Sequence, residues 1–423
     1  MRKSKSKNRL LVMLKAIGCG RLATTIIGGS VVAYLSFALA VSGIARIKSP
    51  QLALMVFPNE SAALASRADQ LFFSRANRPP ANVQKLALAA AYQQPINSKA
   101  LRLLGYLAEL RQNPQRAEKL VTLAARLSRR EPGAQLWLIE NTALNGSTAD
   151  TLRHYDILLR TKPDTSVVLY PRLLNAIQDA DVRANLALYM RLKRSWVTSF
   201  LDYALANSKD LPTLNALLVE NGEFPKMGAL KTQTEQLLSR LTAEKQFAEA
   251  RALYLTIPQS SSARLRNLAF DRFDVDGRFG AMGWVINDAA DAAFDVDAKA
   301  PNKGPTLSFS VAPVTTSVIA TRLLFLPPGE YTFNALISTL QLDNGGTLQW
   351  QIRCVAQNGT AAFWSTLAAA KSVSSQFTVA SDCPVQTLEI VGSGGNGQAG
   401  MEAVIADMSI APRTRVANPT TNP

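Results

Sequence analysis

The sequence predicts a multidomain α + β protein with an N-terminal transmembrane helix, an α-helical repeat array and a C-terminal antiparallel β-sandwich. Residues 22–45 form an uncharged run of 24 residues near the N terminus. Residues 46–258 contain apolar patterns of helical length, separated by Pro, Gly and Asn. After Pro258 the pattern changes to short segments in which apolar and polar residues alternate, which is the period of a half-buried strand.

The uncharged run decides where the rest of the chain lies. A helix of about 20 residues crosses the hydrocarbon core of a bilayer, so residues 22–45 are long enough for a span. The residues before it carry seven basic side chains and no acidic one. Because basic residues beside a span stay on the cytoplasmic side, residues 1–21 are predicted to be a cytoplasmic leader. The protein would then be a single-pass protein of the bacterial inner membrane with its bulk in the periplasm.

A cleavable signal peptide is the alternative for this segment. The sequence Ala38-Leu39-Ala40 has the small-x-small form of a cleavage site. However, the basic region is long, and the apolar run exceeds the roughly 7–15 residues of a signal-peptide core. We therefore favour an uncleaved anchor, and in either case the body of the protein is exported.

The charge is distributed unevenly along the chain. Residues 46–266 carry 30 Lys and Arg against 18 Asp and Glu, whereas residues 267–423 carry 9 against 13. An exported protein rarely meets nucleic acid, so nucleic acid is not expected as a partner. An anionic membrane surface or an acidic polymer suits the basic middle better. The alternative is a solvated helical surface that is simply rich in arginine.

The three cysteines are separated by compartment. Cys19 lies at the cytoplasmic edge of the predicted span, where thiols stay reduced. Cys354 and Cys383 lie in the exported part, which is oxidising. We expect these two to form a disulfide.

The helical middle, residues 46–258, contains two adjacent windows that match at a spacing of 34 residues. Leu101, Gly105 and Ala108 line a helix before the turn at Asn113, and Gly146 marks the corresponding turn one period later. This pattern resembles the tetratricopeptide repeat, in which small residues let paired helices pack closely. The resemblance implies an array with a concave surface for a protein partner. A plain irregular helical bundle is the alternative.

The C-terminal part contains ten candidate strands. They are residues 268–273, 284–286, 292–296, 306–311, 318–326, 331–341, 347–356, 375–379, 387–391 and 401–410. So many short strands with intervening Pro and Gly turns indicate an antiparallel sandwich over residues 267–412. Residues 259–266 are predicted to be a linker, and residues 413–423, rich in Pro, Thr and Asn, a disordered tail.

Short motifs in this region carry a second resemblance. They are Asn267-Leu268-Ala269-Phe270-Asp271, Gly283-Trp284, the set Leu326, Gly329 and Tyr331, and Asp407-Met408-Ser409-Ile410. Together they resemble the jelly-roll, galactose-binding-like group of carbohydrate-binding modules. The resemblance implies glycan binding and a structural calcium near Asp271 and Asp407. Asp271 departs from the glutamate that is usual in the group.

Sugar binding by such a module needs an exposed aromatic side chain. Trp364 follows a loop signal and is the first candidate for stacking on a sugar. Trp350 lies in an alternating strand and is the second candidate. Trp284, in the Gly-Trp motif, is expected in the core.

The sequence contains none of the common catalytic motifs of hydrolases, metalloproteases or nucleotide-binding enzymes. The only histidine, His154, is expected to be a surface residue without a role. We therefore expect no enzymatic activity and, calcium apart, no cofactor. The whole arrangement resembles anchored tetratricopeptide-type proteins that accompany bacterial exopolysaccharide assembly and export. This implies an envelope scaffold, with a cleaved, soluble periplasmic lectin-like protein as the alternative.

Overall fold

A computed structural model describes residues 19–74, 80–220, 230–275, 279–287, 292–297, 305–355, 360–365 and 371–413. The chain forms two compact units, Met1–Leu169 and Tyr170–Pro423. Nearly all of the predicted leader and of the predicted tail lie outside the described residues. The protein is mixed α and β, with the helices first and two antiparallel sheets in the C-terminal part.

The first unit is helical. Its helices are α1 Cys19–Lys48, α2 Pro50–Val56, α3 Ser61–Ser74, α4 Asn82–Gln93, α5 Ser98–Leu110, α6 Pro114–Leu127, α7 Pro132–Leu144 and α8 Thr148–Thr161. Helix α1 contains the predicted span and, over Thr24–Lys48, is long and apolar enough to cross a membrane. A signal sequence has the same length and composition. The side chains of α1 whose burial the structure describes are mostly exposed.

Two neighbouring helix pairs of this unit match at the predicted spacing. Each bound of α7 and α8 lies 34 residues after the corresponding bound of α5 and α6. The turns match too, because Gln112 and Gly146 both have positive φ, at 58° and 70°. Gly105 allows close packing of α5 on α6, since a Cβ at this position would lie 2.6 Å from the Cγ2 of Val121. The spacing is therefore a property of this helix quartet, while membership in the tetratricopeptide family stays a prediction.

A buried ion-pair hub joins three segments of the first unit. Arg102 of α5 is almost completely buried. Its Nη2 lies 2.5 Å from the Oδ1 of Asp69 in α3, and its Nε lies 2.8 Å from the Oε1 of Glu131. Glu131 directly precedes α7. One guanidinium thus bridges the carboxylates of two other segments.

The second unit begins with further helices and ends with the sandwich. The helices from the unit boundary onward are α9 Ser166–Ala176, α10 Ala180–Arg191, α11 Ser195–Asn207, α12 Leu211–Glu220, α13 Lys231–Ala243 and α14 Phe247–Thr256. The segment predicted as a linker contains a short 3-10 helix, Arg264–Arg266, in which Leu265 is buried. A four-residue helix, α15 Arg272–Val275, follows.

In the part of this unit that the structure describes, ten strands form two five-stranded sheets. They are β1 Val285–Ile286, β2 Ala292–Asp297, β3 Thr306–Val311, β4 Thr316–Leu324, β5 Gly329–Leu342, β6 Thr347–Cys354, β7 Thr360–Ser365, β8 Ser372–Val379, β9 Gln386–Ser393 and β10 Met401–Pro412. The first sheet has the order β1-β4-β9-β6-β7 and the second β2-β3-β10-β5-β8, with antiparallel pairing throughout. The β-sandwich prediction is confirmed, while the jelly-roll assignment stays a prediction.

One predicted strand is wrong, and one observed strand was not predicted. The segment 268–273 is not a strand, because the chain turns into α15 at Arg272. The Oδ1 of Asp271 accepts a hydrogen bond from the N–H of Asp274, which favours a helical turn over an extended strand. Strand β7 was not predicted, since its alternation of apolar and polar residues is poor.

The predicted disulfide is present. Cys354, the last residue of β6, is bonded to Cys383, and their Cα atoms lie 5.6 Å apart. Both cysteines are buried in the sandwich core. The bond closes a chain segment with a sequence separation of 29 residues.

Removing this bond should destabilise the sandwich. For Cys383→Ala we expect the free energy of unfolding to fall by about 3–4 kcal/mol, because the unfolded chain regains loop entropy. Urea unfolding followed by tryptophan fluorescence would measure the loss, with the reduced wild-type protein as the control. A variant as stable as the oxidised wild type would contradict the prediction.

Candidate functional site

A buried group of charges closes the end of the sandwich where the chain enters it. Asp274 of α15 and Arg322 of β4 are both fully buried. The Oδ1 of Asp274 lies 3.6 Å from the Nη2 of Arg322, and its Oδ2 lies 3.3 Å from the Nη1 of Arg264. Arg264 also pairs with Asp271 at 2.5 Å. We call these four residues the entry cluster.

The entry cluster perturbs the titration of its members. Burial raises the pKa of Asp274 to about 6, although Arg322 acts in the opposite direction. Burial raises the pKa of Tyr254 in α14 to about 12, and the charge of Asp274 adds to this shift. Arg322 also lies over the ring of Trp284, at 5.7 Å from the centroid, and donates a hydrogen bond to the carbonyl oxygen of Arg264. The cluster is internal to the fold, so its role is to hold the sandwich to the preceding segment.

The entry cluster does not fit the predicted calcium. Asp271 is bound by Arg264 and by the backbone of Asp274, so an arginine already neutralises it. Asp407 is an exposed residue of β10, opposite Leu336. The described part of the chain contains no group of three His, Cys, Asp or Glu that could hold a metal ion. The residues at these positions therefore offer no cage of oxygen ligands for calcium.

The tryptophans occupy different positions from those that sugar stacking requires. Trp350 is 0% exposed and packs against Phe333 in the sandwich core, so the prediction that it stacks on a ligand is corrected. Trp284 is 1% exposed, and it packs on Phe270. The backbone of Trp364 pairs with Trp350 across β7 and β6, but its side chain lies outside the described residues. The stacking role of Trp364 stays a prediction.

The outer face of the first sheet carries two rows of side chains that cross β4, β9 and β6. The first row consists of Thr321, Glu389 and Gln351, and the second of Leu323, Thr387 and Arg353. Residues directly opposite each other in neighbouring strands project to the same face, so each row is a continuous strip. Arg353 donates a hydrogen bond to Gln351 and lies 3.5 Å from Glu389. The sheet thus presents hydroxyl, amide and charged groups side by side.

A groove of about 680 Å³ lies between this face and the helical hairpin α13–α14. Its apolar lining is made of Ala243, Phe247, Val275, Gly280, Ala281, Trp284, Val285, Ile286, Leu323 and Val355, and its polar lining of Ser239, Thr242, Lys245, Thr321 and Thr387. Thr321, Leu323 and Thr387 belong to the two rows, so the groove opens onto them. The hairpin lies close to Phe279 and Gly280 within this unit. An ideal Cβ on Gly280 would lie 3.6 Å from the Cα of Ser239, and Tyr254 packs edge-on against Phe279.

Comparison with known proteins adds little to this geometry. No protein-family model matches the chain, and no curated protein sequence matches it. Among solved structures, a family 61 carbohydrate-binding module in complex with β-1,4-galactotriose is 10% identical, covering 31% of this chain and 88% of that chain, at a TM-score of 0.23. A family 4 carbohydrate-binding module is 17% identical, covering 31% and 87%, at 0.22.

A third neighbour is larger than a single module. It contains carbohydrate-binding and glycoside-hydrolase modules of a Clostridium thermocellum endo-1,4-β-D-xylanase complexed with xylohexaose. It is 15% identical, covering 35% of this chain and 29% of that chain, at a TM-score of 0.24. The neighbours are thus carbohydrate-binding modules over about a third of the chain. TM-scores this low support no conclusion about function. The description of the sandwich therefore rests on the strand pairing of this chain alone.

Sequence reasoning did not find the groove residues. The side chains that line it come from α13, α14, β4 and β9, which are far apart in the sequence. The sequence of β6 did contain a signal for the polar rows beside the groove, because Gln349, Gln351 and Arg353 alternate with apolar residues. This alternation predicts a polar outer face, and it also places Trp350 on the inner one.

Proposed function

We propose that the protein is a non-catalytic envelope protein whose β-sandwich binds a glycan in the groove beside α13–α14. The observation that carries this proposal is the groove itself, in which an apolar floor is combined with four hydroxyl side chains and one ammonium. A sugar ring has apolar C–H faces and a rim of hydroxyls, so it needs both kinds of partner. The adjacent rows, with Glu389, Gln351 and Arg353, supply further hydrogen-bonding groups for a chain of several sugars.

Helix α1 supports the membrane anchor. It is continuous from Cys19 to Lys48, and its exposed surface is apolar over the predicted span. The cleavage-like sequence at Ala38 lies within this helix rather than in an extended segment that a peptidase could bind. We therefore propose a single-pass inner-membrane protein with a periplasmic body. A cleaved, soluble lectin-like protein is the alternative, and it would carry the same groove.

The helices that precede the sandwich are proposed to bind a protein partner. The matching helix pairs α5–α6 and α7–α8 support a repeat-type scaffold, and large apolar side chains such as Tyr92, at 84% exposed, lie on its surface. An isolated exposed apolar residue is common on any protein, so the identity of the partner does not follow from it. A role in exopolysaccharide assembly or export is the setting that best unites an anchor, a scaffold and a glycan-binding groove.

Filling the groove should abolish glycan binding. In Thr321→Trp, a bulky ring would occupy the space above β4, and aromatic residues are well tolerated in strands. We expect the full-length protein in detergent to be retarded in an affinity gel that contains envelope polysaccharide of the producing cell. The retardation should disappear in Thr321→Trp.

The matched control is Thr316→Trp, at the exposed start of the same strand and outside the groove lining. This variant should be retarded like the wild type. Equal losses in the two variants would mean that tryptophan simply disturbs β4. If the wild-type protein itself is not retarded, the proposal of glycan binding fails.

A further inference from the structure

The charged side chains that line the groove indicate which charge its ligand carries. Lys245 is the one charged side chain among the described residues that line it, and no carboxylate lies among them. The remaining polar side chains of the lining are hydroxyls, which accept or donate hydrogen bonds without selecting a charge. Among the described residues, the lining thus carries one positive side chain and otherwise neutral ones.

The backbone holds Lys245 at this position. It lies in the turn between α13 and α14 with φ of 60°, and its N–H donates to the carbonyl oxygen of Thr242 at 3.1 Å. The next residue, Gln246, donates from its N–H to the carbonyl oxygen of Leu241 at 2.8 Å. These two hydrogen bonds fix the backbone of the turn at Lys245. The side chain of Lys245 therefore starts from a defined position at the edge of the groove.

The ammonium of Lys245 is available to a ligand. Two basic residues of helix α13 are paired, with Lys231 lying 3.8 Å from Glu235 and Arg240 lying 3.0 Å from Glu244. Within the described residues, Lys245 has no such carboxylate partner. A basic side chain that lines a groove without an internal counter-ion favours an anionic ligand.

We infer that the groove binds a glycan that contains hexuronate residues, with a sugar carboxylate paired to Lys245 and sugar hydroxyls bonded to Thr242, Thr321 and Thr387. This inference rests on the proposed glycan binding and names its ligand class. A carboxylate fits better than a phosphate or sulfate, because those groups are generally bound by several converging donors, often the fork of an arginine. The excess of basic residues over residues 46–266 would attract such a polyanion from a distance.

The test compares an acidic polymer with its neutral derivative. The probes are polygalacturonate and its methyl ester, in which the same sugar chain carries either an anionic carboxylate or a neutral ester. The full-length protein in detergent should bind polygalacturonate at least fivefold more tightly than the ester. In Lys245→Asn the affinity for polygalacturonate should fall at least fivefold, and that for the ester should not change. Asparagine suits this position because it tolerates positive φ. Lys245→Arg should retain binding.

The matched control is Lys193→Asn. Lys193 also lies in a helix–helix turn with positive φ, at 52°, but it does not line the groove. The variant Lys193→Asn removes one positive charge from the same unit. Because Lys193 is outside the groove, the affinity for polygalacturonate should not change. Equal losses in the two variants would show a general charge effect and overturn the inference.

Two further outcomes separate the inference from the proposed function. If both polymers bind equally and Lys245→Asn has no effect, the groove takes neutral glycans, and the inference alone fails. If neither polymer binds and envelope polysaccharide does not retard the protein, both the inference and the proposed function fail.

Discussion

Arg322→Met is expected to lower the free energy of unfolding of the sandwich by about 3–5 kcal/mol. Asp274, which is buried beside Arg322, would keep only its contact with Arg264. A buried carboxylate that loses its main counter-ion is costly, because neither water nor a second charge replaces it. Hydrogen exchange of the full-length protein would measure the loss as reduced protection of amides in β4 and its neighbour β9.

The same change should alter the pH dependence of stability. The pKa of Asp274 is raised from 3.8 to about 6 in the folded protein, so between these values the folded state binds more protons than the unfolded state. The contribution of Asp274 to stability is therefore full below about pH 4 and is lost as the pH rises through 6. Arg322 opposes this shift, so its removal should raise the pKa further. The loss in free energy of unfolding caused by Arg322→Met should therefore be larger at pH 8 than at pH 5.

A double variant and a surface variant provide the controls. Arg322→Met combined with Asp274→Leu removes both charges and should recover most of the stability that Arg322→Met loses. Arg353→Met removes an exposed arginine that lies 3.5 Å from Glu389 in the same sheet, and it should cost less than about 1 kcal/mol. If Arg322→Met costs no more than Arg353→Met, the entry cluster does not stabilise the sandwich.

Arg102→Met is expected to destabilise the first helical unit by a similar amount, about 3–5 kcal/mol. Arg102 is 3% exposed and pairs with two carboxylates, Asp69 and Glu131, so its loss leaves both without their shared cation. Hydrogen exchange should show faster opening of α3, α5 and α7, while the peptides of the sandwich keep their protection. An unchanged pattern in all three helices would contradict the prediction.

The matched control in the same unit is Arg153→Met. Arg153 lies 2.8 Å from Asp150, and both side chains are more than half exposed. Because water screens this pair, its removal should cost less than about 1 kcal/mol. The contrast between the two arginines tests whether burial, rather than the number of ion pairs, sets the cost.

The sequence predicted the order of helices followed by an antiparallel β-sandwich, but it did not predict the site. The alternation of apolar and polar residues located nine of the ten strands, because alternation records which side of a strand is buried. It failed at 268–273, where the side chain of Asp271 accepts a hydrogen bond from the backbone N–H of Asp274, which favours a turn. The groove could not be predicted, since its walls meet only after the hairpin α13–α14 packs beside the sheet.

Single residues without a periodic context were also poorly predicted. His154 was expected on the surface but is buried, and its Nδ1 lies 2.7 Å from the Oε1 of Gln135. Burial lowers the pKa of His154 to about 4, so the ring is neutral at pH 7. A polar residue in a helix can be buried when its partner lies on the neighbouring helix, and the partner is invisible in the local pattern.

The junction between α1 and α2 has a mechanical consequence. Ser49 alone separates the two helices, and its N–H donates to the carbonyl oxygen of Ala45 at 2.8 Å. Ala45, Ala53 and Ala63 then pack together, so small side chains bring α1, α2 and α3 into close contact. If α1 is the proposed span, these contacts would restrict bending between α1 and α2. The helices that follow would then stay close to the bilayer surface.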